Sequence, residues 1–154
     1  LPHPKKCRLL VDDKIFSLFR AGTSISKVCE DFDRVDTYPN PQNEKLDQNP
    51  FLMGEKLAHL LLPKIQEHRY DFIVTSSDRI AQGMATVLDE AGLKIPKDIN
   101  LLGFDKINSL PYFKHSLPTI EVPIQAMIDA LLGTLAKRLS CGSAIKVEAK
   151  FVNF

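Results

Sequence analysis

Short apolar runs alternate along this chain with longer stretches whose apolar residues recur every three to four positions. That alternation predicts βαβ units and a parallel sheet. RLLV at Arg8–Val11 reads as a short buried strand, and the stretch from Asp13 to Phe32 has Ile15, Phe16, Phe19, Val28 and Cys29 near helical spacing, weakened in the middle by Gly22 and Thr23. RVDTY at Arg34–Tyr38 is a second strand, followed by the polar, proline-studded loop PNPQNEKLDQNP. A helix is expected from about Pro50, a favourable first-turn proline, to His68, with Leu57, Leu60, Leu61 and Ile65 on its apolar face. Pro63 should kink that helix or end it early.

The same reading continues to the end of the chain. FIVT at Phe72–Thr75 is the third strand; Ser77 or Asp78 caps a helix through Ala91, with Gly92 at the left-handed stop position. NLLGF at Asn100–Phe104 is the fourth strand. The connection from Asp105 to Pro118 is long for such a fold, and long connections usually carry function or contacts. Ile124 to Leu139 is the best amphipathic helix in the chain, with Met127, Ile128, Leu131, Leu132 and Leu135 on the side expected to be buried. The tail IKVEAKFVNF alternates as a final strand.

Composition narrows the picture little. With 154 residues, 44% hydrophobic and 25% charged, the chain has the make-up of about one globular domain. Twenty basic and nineteen acidic residues leave a net charge of +1, with no basic stripe of the kind nucleic acid demands. No apolar run is long enough to span a membrane. Cys7, Cys29 and Cys141 are odd in number and widely spaced, which suggests neither a zinc site nor a disulfide framework and fits a reducing cytoplasm. The opening LPHPKKCRLL has no initiator Met and no signal pattern, so it reads as a fragment or a processed chain.

In an open α/β sheet, ligands bind beyond the carboxyl ends of the strands. Four places qualify: Asp12 and Asp13 after the first strand, Tyr38 after the second, Ser76, Ser77 and Asp78 after the third, and Asp105 after the fourth. An ionised Asp105 could accept hydrogen bonds from ligand hydroxyls, or it could simply cap the turn that follows. The pair Asp12 and Asp13 is similar to the metal-binding acids of response-regulator receiver domains, but strand three ends in Thr75, Ser76 and Ser77 rather than a phosphoacceptor Asp. Capping of the first helix is the simpler role for the pair, and Asp78 is better explained as a first-turn residue favoured by the helix dipole. Catalytic and metal constellations are poor. His3, His59, His68 and His115 are scattered, none at ligand spacing or beside a nucleophile, and no glycine-rich phosphate loop follows any strand. No enzyme, metal or cofactor is expected.

The segment SSDRIAQGMATVLDEAGLKIPKDINLLGFDKINSLPYFKHSLPTIEVPIQAM carries a resemblance. Its small polar turn before Asp78, its small-residue helix with Ala81 and Gly83, then AGLKIPKDI, LLGFD and LPTIEVPI, in that order, resemble the effector-binding region of LacI/GalR-family bacterial transcription regulators over Ser76–Met127. The resemblance implies a three-layer, parallel-sheet lobe of the type I periplasmic-binding-protein-like α/β fold. Residues 1–122 would form the second lobe of two around a ligand cleft, and residues 123–154 the late helix and final strand returning between lobes. The first lobe and a helix-turn-helix headpiece that contacts operator DNA would lie outside this chain. Control would be allosteric, by a sugar-like or less polar effector, in a cytoplasmic homodimer with no membrane partner. A periplasmic sugar-binding protein of an uptake system shares this fold and is the alternative, and a receiver-like domain using Asp12 and Asp13 is a further one.

By that resemblance, Asp105 matches the carboxylate that holds effector hydroxyls, and Asp12 shares its rim. Ser77 stands where the family usually has Asn, a family Arg falls at Phe19 with Arg20 one place out of register, a family Gln falls at Val122, and the second Asp of a pair is Lys106. Either the ligand is less hydroxylated than a sugar, with Phe19 and Val122 as apolar contacts, or the site has drifted. The family's dimer interface would fall on Ile80, Met84 and Leu88 of the helix and on Leu110, Tyr112 and Phe113 of the loop. That loop is apolar enough either to form a partner surface or to tuck onto its own core.

Overall fold

Two apolar triplets make the centre of the sheet. Leu9, Leu10 and Val11 lie beside Phe72, Ile73 and Val74 in parallel register. Alternation along them sends Leu10, Ile73 and Leu101 to one face and Leu9, Val11 and Val74 to the other, and both faces are buried. Such unbroken apolar runs are what a parallel sheet covered on both sides requires.

The computed structural model describes residues 7–22, 32–39, 49–136 and 150–152. In chain order the elements are β1 (Cys7–Asp12), α1 (Asp13–Gly22), β2 (Phe32–Tyr38), α2 (Pro50–His68), β3 (Phe72–Val74), α3 (Asp78–Glu90), β4 (Asn100–Asp105), a 3-10 turn (Leu110–Tyr112), β5 (Thr119–Glu121), α4 (Ile124–Ala136) and β6 (Lys150–Val152). They form one six-stranded sheet in the order β2-β1-β3-β4-β5-β6, parallel except for β6, which runs antiparallel to β5. Strand order reverses between β1 and β3, so the switch point lies at their carboxyl ends.

Local signals explain the helix ends. Asn49 Oδ1 accepts the Phe51 amide at 3.0 Å, and Pro50 needs no N–H in the first turn of α2. Gly92, at φ 82°, ends α3 in a Schellman-type stop, with Leu93 N donating to Leu88 O at 2.9 Å. Pro63 does not end α2, which continues to His68. Pro63 and His59 lie on the exposed face, where solvent can serve the carbonyl that proline leaves without a donor. Leu60 departs from its expected burial and stands 77% exposed.

The α2–α3 layer is the densest part of the fold. A Cβ on Gly54 would sit 2.2 Å from Ile80 O, and one on Gly83 would sit 2.0 Å from the Phe51 carbonyl. Glycine at both positions lets the two helix backbones touch. The result is that Ile80, Ala81, Met84, Ala85 and Leu88 are all fully buried.

Two expectations are corrected elsewhere. Strand β5 lies between Pro118 and Pro123, a stretch to which the sequence pattern assigns no element, and pairs Gly103–Asp105 with Thr119–Glu121. On α4, Met127, Ile128, Leu131 and Leu132 are 42–57% exposed rather than buried, because no described element packs extensively against them. Leu135's side chain, Val28, Cys29, Cys141, residues 137–139 of the expected late helix and residues 145–149 and 153–154 of the expected final strand lie outside the described residues.

Candidate functional site

The carboxyl ends of β1 to β5 put Asp12, Tyr38, Thr75, Asp105 and Glu121 on one rim. Their side chains do different things there. Asp12 is fully buried, and its Oδ1 accepts the amides of Lys14 at 3.0 Å and Ile15 at 3.4 Å. It is the cap of α1 and does not line an open recess, which corrects its expectation as an effector contact. Tyr38 is 1% exposed and reaches past β1 to donate its hydroxyl to Val74 O at 3.0 Å. Burial first, then the charges of Asp12 and Asp13, push that phenol well above its ordinary pKa, so it stays a donor. The switch point is therefore bridged by the chain's own phenol.

Ser77 caps α3, its Oγ accepting the Ile80 amide at 3.3 Å, and that bond leaves its hydroxyl hydrogen free to donate. Thr75 is buried and ties Ser77 O and Leu102 O together through its hydroxyl. Phe19 falls on α1, but its side chain is outside the described residues.

An open recess lies further along the rim, at β4, β5 and the start of α4. It has a volume of about 400 Å³ and is lined by Asp105, Lys106, Glu121, Val122, Pro123, Ile124, Gln125 and Ala126. Of the residues expected to meet a ligand, the structure brings Asp105 and Val122 together here. It adds Glu121 and Gln125, which sequence reasoning missed. Gln125 lies three residues beyond Val122, in the first turn of α4, and could have been found as the first-turn polar group of the late helix. Lys106 Nζ and Glu121 Oε1 pair at 3.0 Å across β4 and β5. Val122, Pro123 and Ile124 supply an apolar wall beside these charges, the mixture that small-ligand sites use.

The backbone under this recess is unusual. Asp105 has φ 101° and Lys106 φ 58°, left-handed conformations that cost non-glycine residues about 1–3 kcal/mol each. Behind them lies Asp78, fully buried. Its Oδ2 accepts the Ile107 amide at 2.8 Å and its Oδ1 accepts the Thr119 hydroxyl at 2.5 Å. Burial raises the Asp78 carboxyl above the ordinary value, while Thr119 and the backbone amides pull it back. Burial and the charge of Asp78 together raise the Asp105 carboxyl.

The expected dimer residues mostly face inward. Ile80, Met84, Leu88 and Leu110 are 0–4% exposed, buried against their own core, and are not available to a partner. Phe113 is half-buried, edge-on to His115, and Tyr112 alone of the six is broadly exposed, at 90%. Among the described residues no group of three or more His, Cys, Asp or Glu is placed to hold a metal ion, and no helix is long and apolar enough to cross a membrane.

A switch-point α/β sheet with an open, mixed polar and apolar recess at its carboxyl rim is the architecture on which open α/β proteins hold small ligands. Residues 35–150 match the periplasmic binding protein-like domain family, and the chain belongs to it. Over 74 residues it is 34% identical to the HTH-type transcriptional repressor PurR of Klebsiella pneumoniae, a match covering 48% of this chain and 22% of that protein. A LacI family transcriptional regulator from Enterococcus faecium with bound ribose superposes with a TM-score of 0.68 at 22% identity, over 97% of this chain and 55% of that one. The lac repressor bound to ONPG superposes with a TM-score of 0.69 at 14% identity, over 96% and 45%. The chain thus spans about half of these structures, and its match to PurR about a quarter of that repressor. The chain is thus similar in sequence to part of the PurR repressor and in fold to part of LacI family regulators.

Proposed function

We propose that this chain is the effector-binding lobe of a LacI-type transcriptional regulator, and that a small hydroxylated or moderately polar effector binds at the β4–β5 recess. One observation carries the reading: Asp105, at the end of β4, opens onto a recess shared with Glu121, Gln125 and an apolar wall at Val122 and Pro123. The carboxylate would accept ligand hydroxyls, Gln125 would donate and accept, and the apolar wall would take a sugar ring face or a less polar group. Ser77's hydroxyl, on the same rim, would be a peripheral donor, and Phe19 an apolar neighbour from α1.

In this reading the protein is cytoplasmic, performs no covalent chemistry and needs no cofactor. The exposed apolar side of α4 packs on a further lobe, residues 123–154 forming the passage between lobes and residues 1–122 the second lobe. Effector binding favours one arrangement of the lobes, which changes operator affinity through a helix-turn-helix segment elsewhere in the protein. Tyr112, with Phe113 at its side, is the part of the Leu110–Leu117 loop that would meet a second copy.

Calorimetry against a panel of pentoses, hexoses and purines tests the proposal. One class should bind, and Asp105→Asn should weaken it at least tenfold, about 1.4 kcal/mol. Binding of a panel member with unchanged affinity in Asp105→Asn would sink the assignment of the recess.

A further inference from the structure

Asp78 begins α3, where an acid is favoured by the helix dipole alone. Its bonds show a different employment. Ser77 supplies the side-chain cap of α3, while the Asp78 carboxylate reaches residues 29 and 41 positions away, the Ile107 amide and the Thr119 hydroxyl. Thr119 Oγ1 in turn accepts the Lys106 amide at 3.3 Å. The two amides that follow Asp105 are therefore both anchored to one buried carboxylate, directly at Ile107 and through Thr119 at Lys106. These are the amides that flank the left-handed Lys106.

The surroundings are shaped to admit that carboxylate. A Cβ at Gly103 would lie 2.0 Å from Asp78 Oδ1, so β4 passes the carboxylate only because residue 103 lacks a side chain. Gly103 N donates to Pro118 O at 2.8 Å, drawing the start of β5 and its Thr119 alongside. Asp78 and Thr119 are each fully buried, so neither hydrogen-bond partner is replaced by solvent.

We propose that Asp78 is a positioning residue for the rim: by gathering the Ile107 amide and the Thr119 hydroxyl it holds Asp105 and Lys106 in their left-handed conformation and so aims the Asp105 carboxylate into the recess. The consequence for ligand binding rests on the recess being the effector site; the backbone consequence does not. Alanine at this position removes both acceptor oxygens, so the Ile107 amide and the Thr119 hydroxyl each lose their partner, whereas the NH2 group of an asparagine could donate to the Thr119 oxygen and keep both contacts.

The experiment is NMR on the 154-residue chain with Asp78→Ala, Thr119→Val and Thr119→Ser, paired with D-ribose titration. In Asp78→Ala and Thr119→Val, the HN–Hα couplings of Asp105 and Lys106 should leave their left-handed values. Ile107 amide exchange in Asp78→Ala should quicken at least tenfold relative to Ile73 and Leu101, whose rates report global stability. Thr119→Ser, which keeps the hydroxyl, should match the parent chain in both. D-ribose affinity should fall at least tenfold in the first two variants and hold in the third. Parent-like couplings and exchange in a folded Asp78→Ala overturn the proposal. An altered turn that leaves D-ribose affinity intact overturns the aiming of Asp105 at a ligand, while the brace stands. If the parent chain binds no D-ribose, altered couplings still support the brace, and the ribose-type ligand alone falls. Should Asp78→Ala not fold, Thr119→Val and Thr119→Ser decide the matter by the same couplings.

Discussion

Helices α3 and α4 carry comparable apolar stripes and meet opposite fates. On α3, Ile80, Met84 and Leu88 are fully buried; on α4, Met127, Leu131 and Leu132 stand at 50–57% exposure. The stripe itself does not distinguish them. What differs is the surface opposite. Helix α3 has the sheet on one side and α2 on the other, at a crossing close enough that Gly54 and Gly83 touch backbone, whereas α4 has no described element packed extensively against it. Apolar periodicity states that a helix wants a partner; it does not state which element the partner is.

The largest effect expected from breaking this contrast is at Gly83. Placing a valine there drives Cβ into the Phe51 carbonyl, and either the α2–α3 crossing opens or the backbone shifts. Gly83→Val should destabilise the chain by about 3 kcal/mol or more in urea denaturation, the upper end of the usual cost of overpacking. A loss below about 0.5 kcal/mol would show that the crossing is loose. The same substitution at Gly133 of α4, where a Cβ meets nothing within 4 Å, should cost only the helix propensity difference, a few tenths of a kcal/mol and of favourable sign.

A smaller effect is expected where the α3 end meets the Leu110–Leu117 loop. Asp89 receives His115 at 2.6 Å and Lys114 at 3.0 Å. Burial opposes ionisation of Asp89, but these two hydrogen bonds outweigh it and hold the carboxyl below its ordinary 3.8. A carboxyl lowered by folding contributes stability above its unfolded pKa and loses it as pH falls through the folded value. Asp89→Asn should therefore cost on the order of 0.5 kcal/mol at neutral pH and flatten the acid limb of the stability profile below about pH 4. Asp78 and Asp105 run the other way, since their raised carboxyls favour the folded state below the unfolded pKa and lose that contribution as pH rises through the folded one. An acid limb of unchanged slope in Asp89→Asn would mean the loop is not held there.

The smallest effect is expected on α4. Leu132→Gln should change the stability of this chain by less than about 0.5 kcal/mol, the range of ordinary surface substitutions. A loss of 2 kcal/mol or more would mean that the leucine is covered within the chain, and the contrast between the two helices would collapse.

Much of the fold was legible because its signals are local. Pro50 at the start of α2, Ser77 before α3 and Gly92 after it mark helix ends by effects that span at most five residues, and the triplets of β1, β3 and β4 announce a sheet buried on both faces. At the candidate site, Asp105 was legible from its place after a strand and Val122 only through the family resemblance, and Glu121 and Gln125 were not, since β5 is three residues between prolines and shows as a strand only where β4 lies beside it. Asp12 and Asp78 illustrate the same limit. Both are acids at the start of a helix, yet one caps its own helix and the other braces residues far along the chain.

The sequence by itself determined the alternation of strands and helices, the class of fold and the rim on which ligand chemistry must lie, because periodicity and capping act over a few residues. Only the tertiary structure decided which apolar faces are buried, which carboxylate is structural and which opens onto the recess. Burial, close helix approach and the sharing of one carboxylate by distant amides depend on residues brought together across the sheet, and no local pattern encodes them.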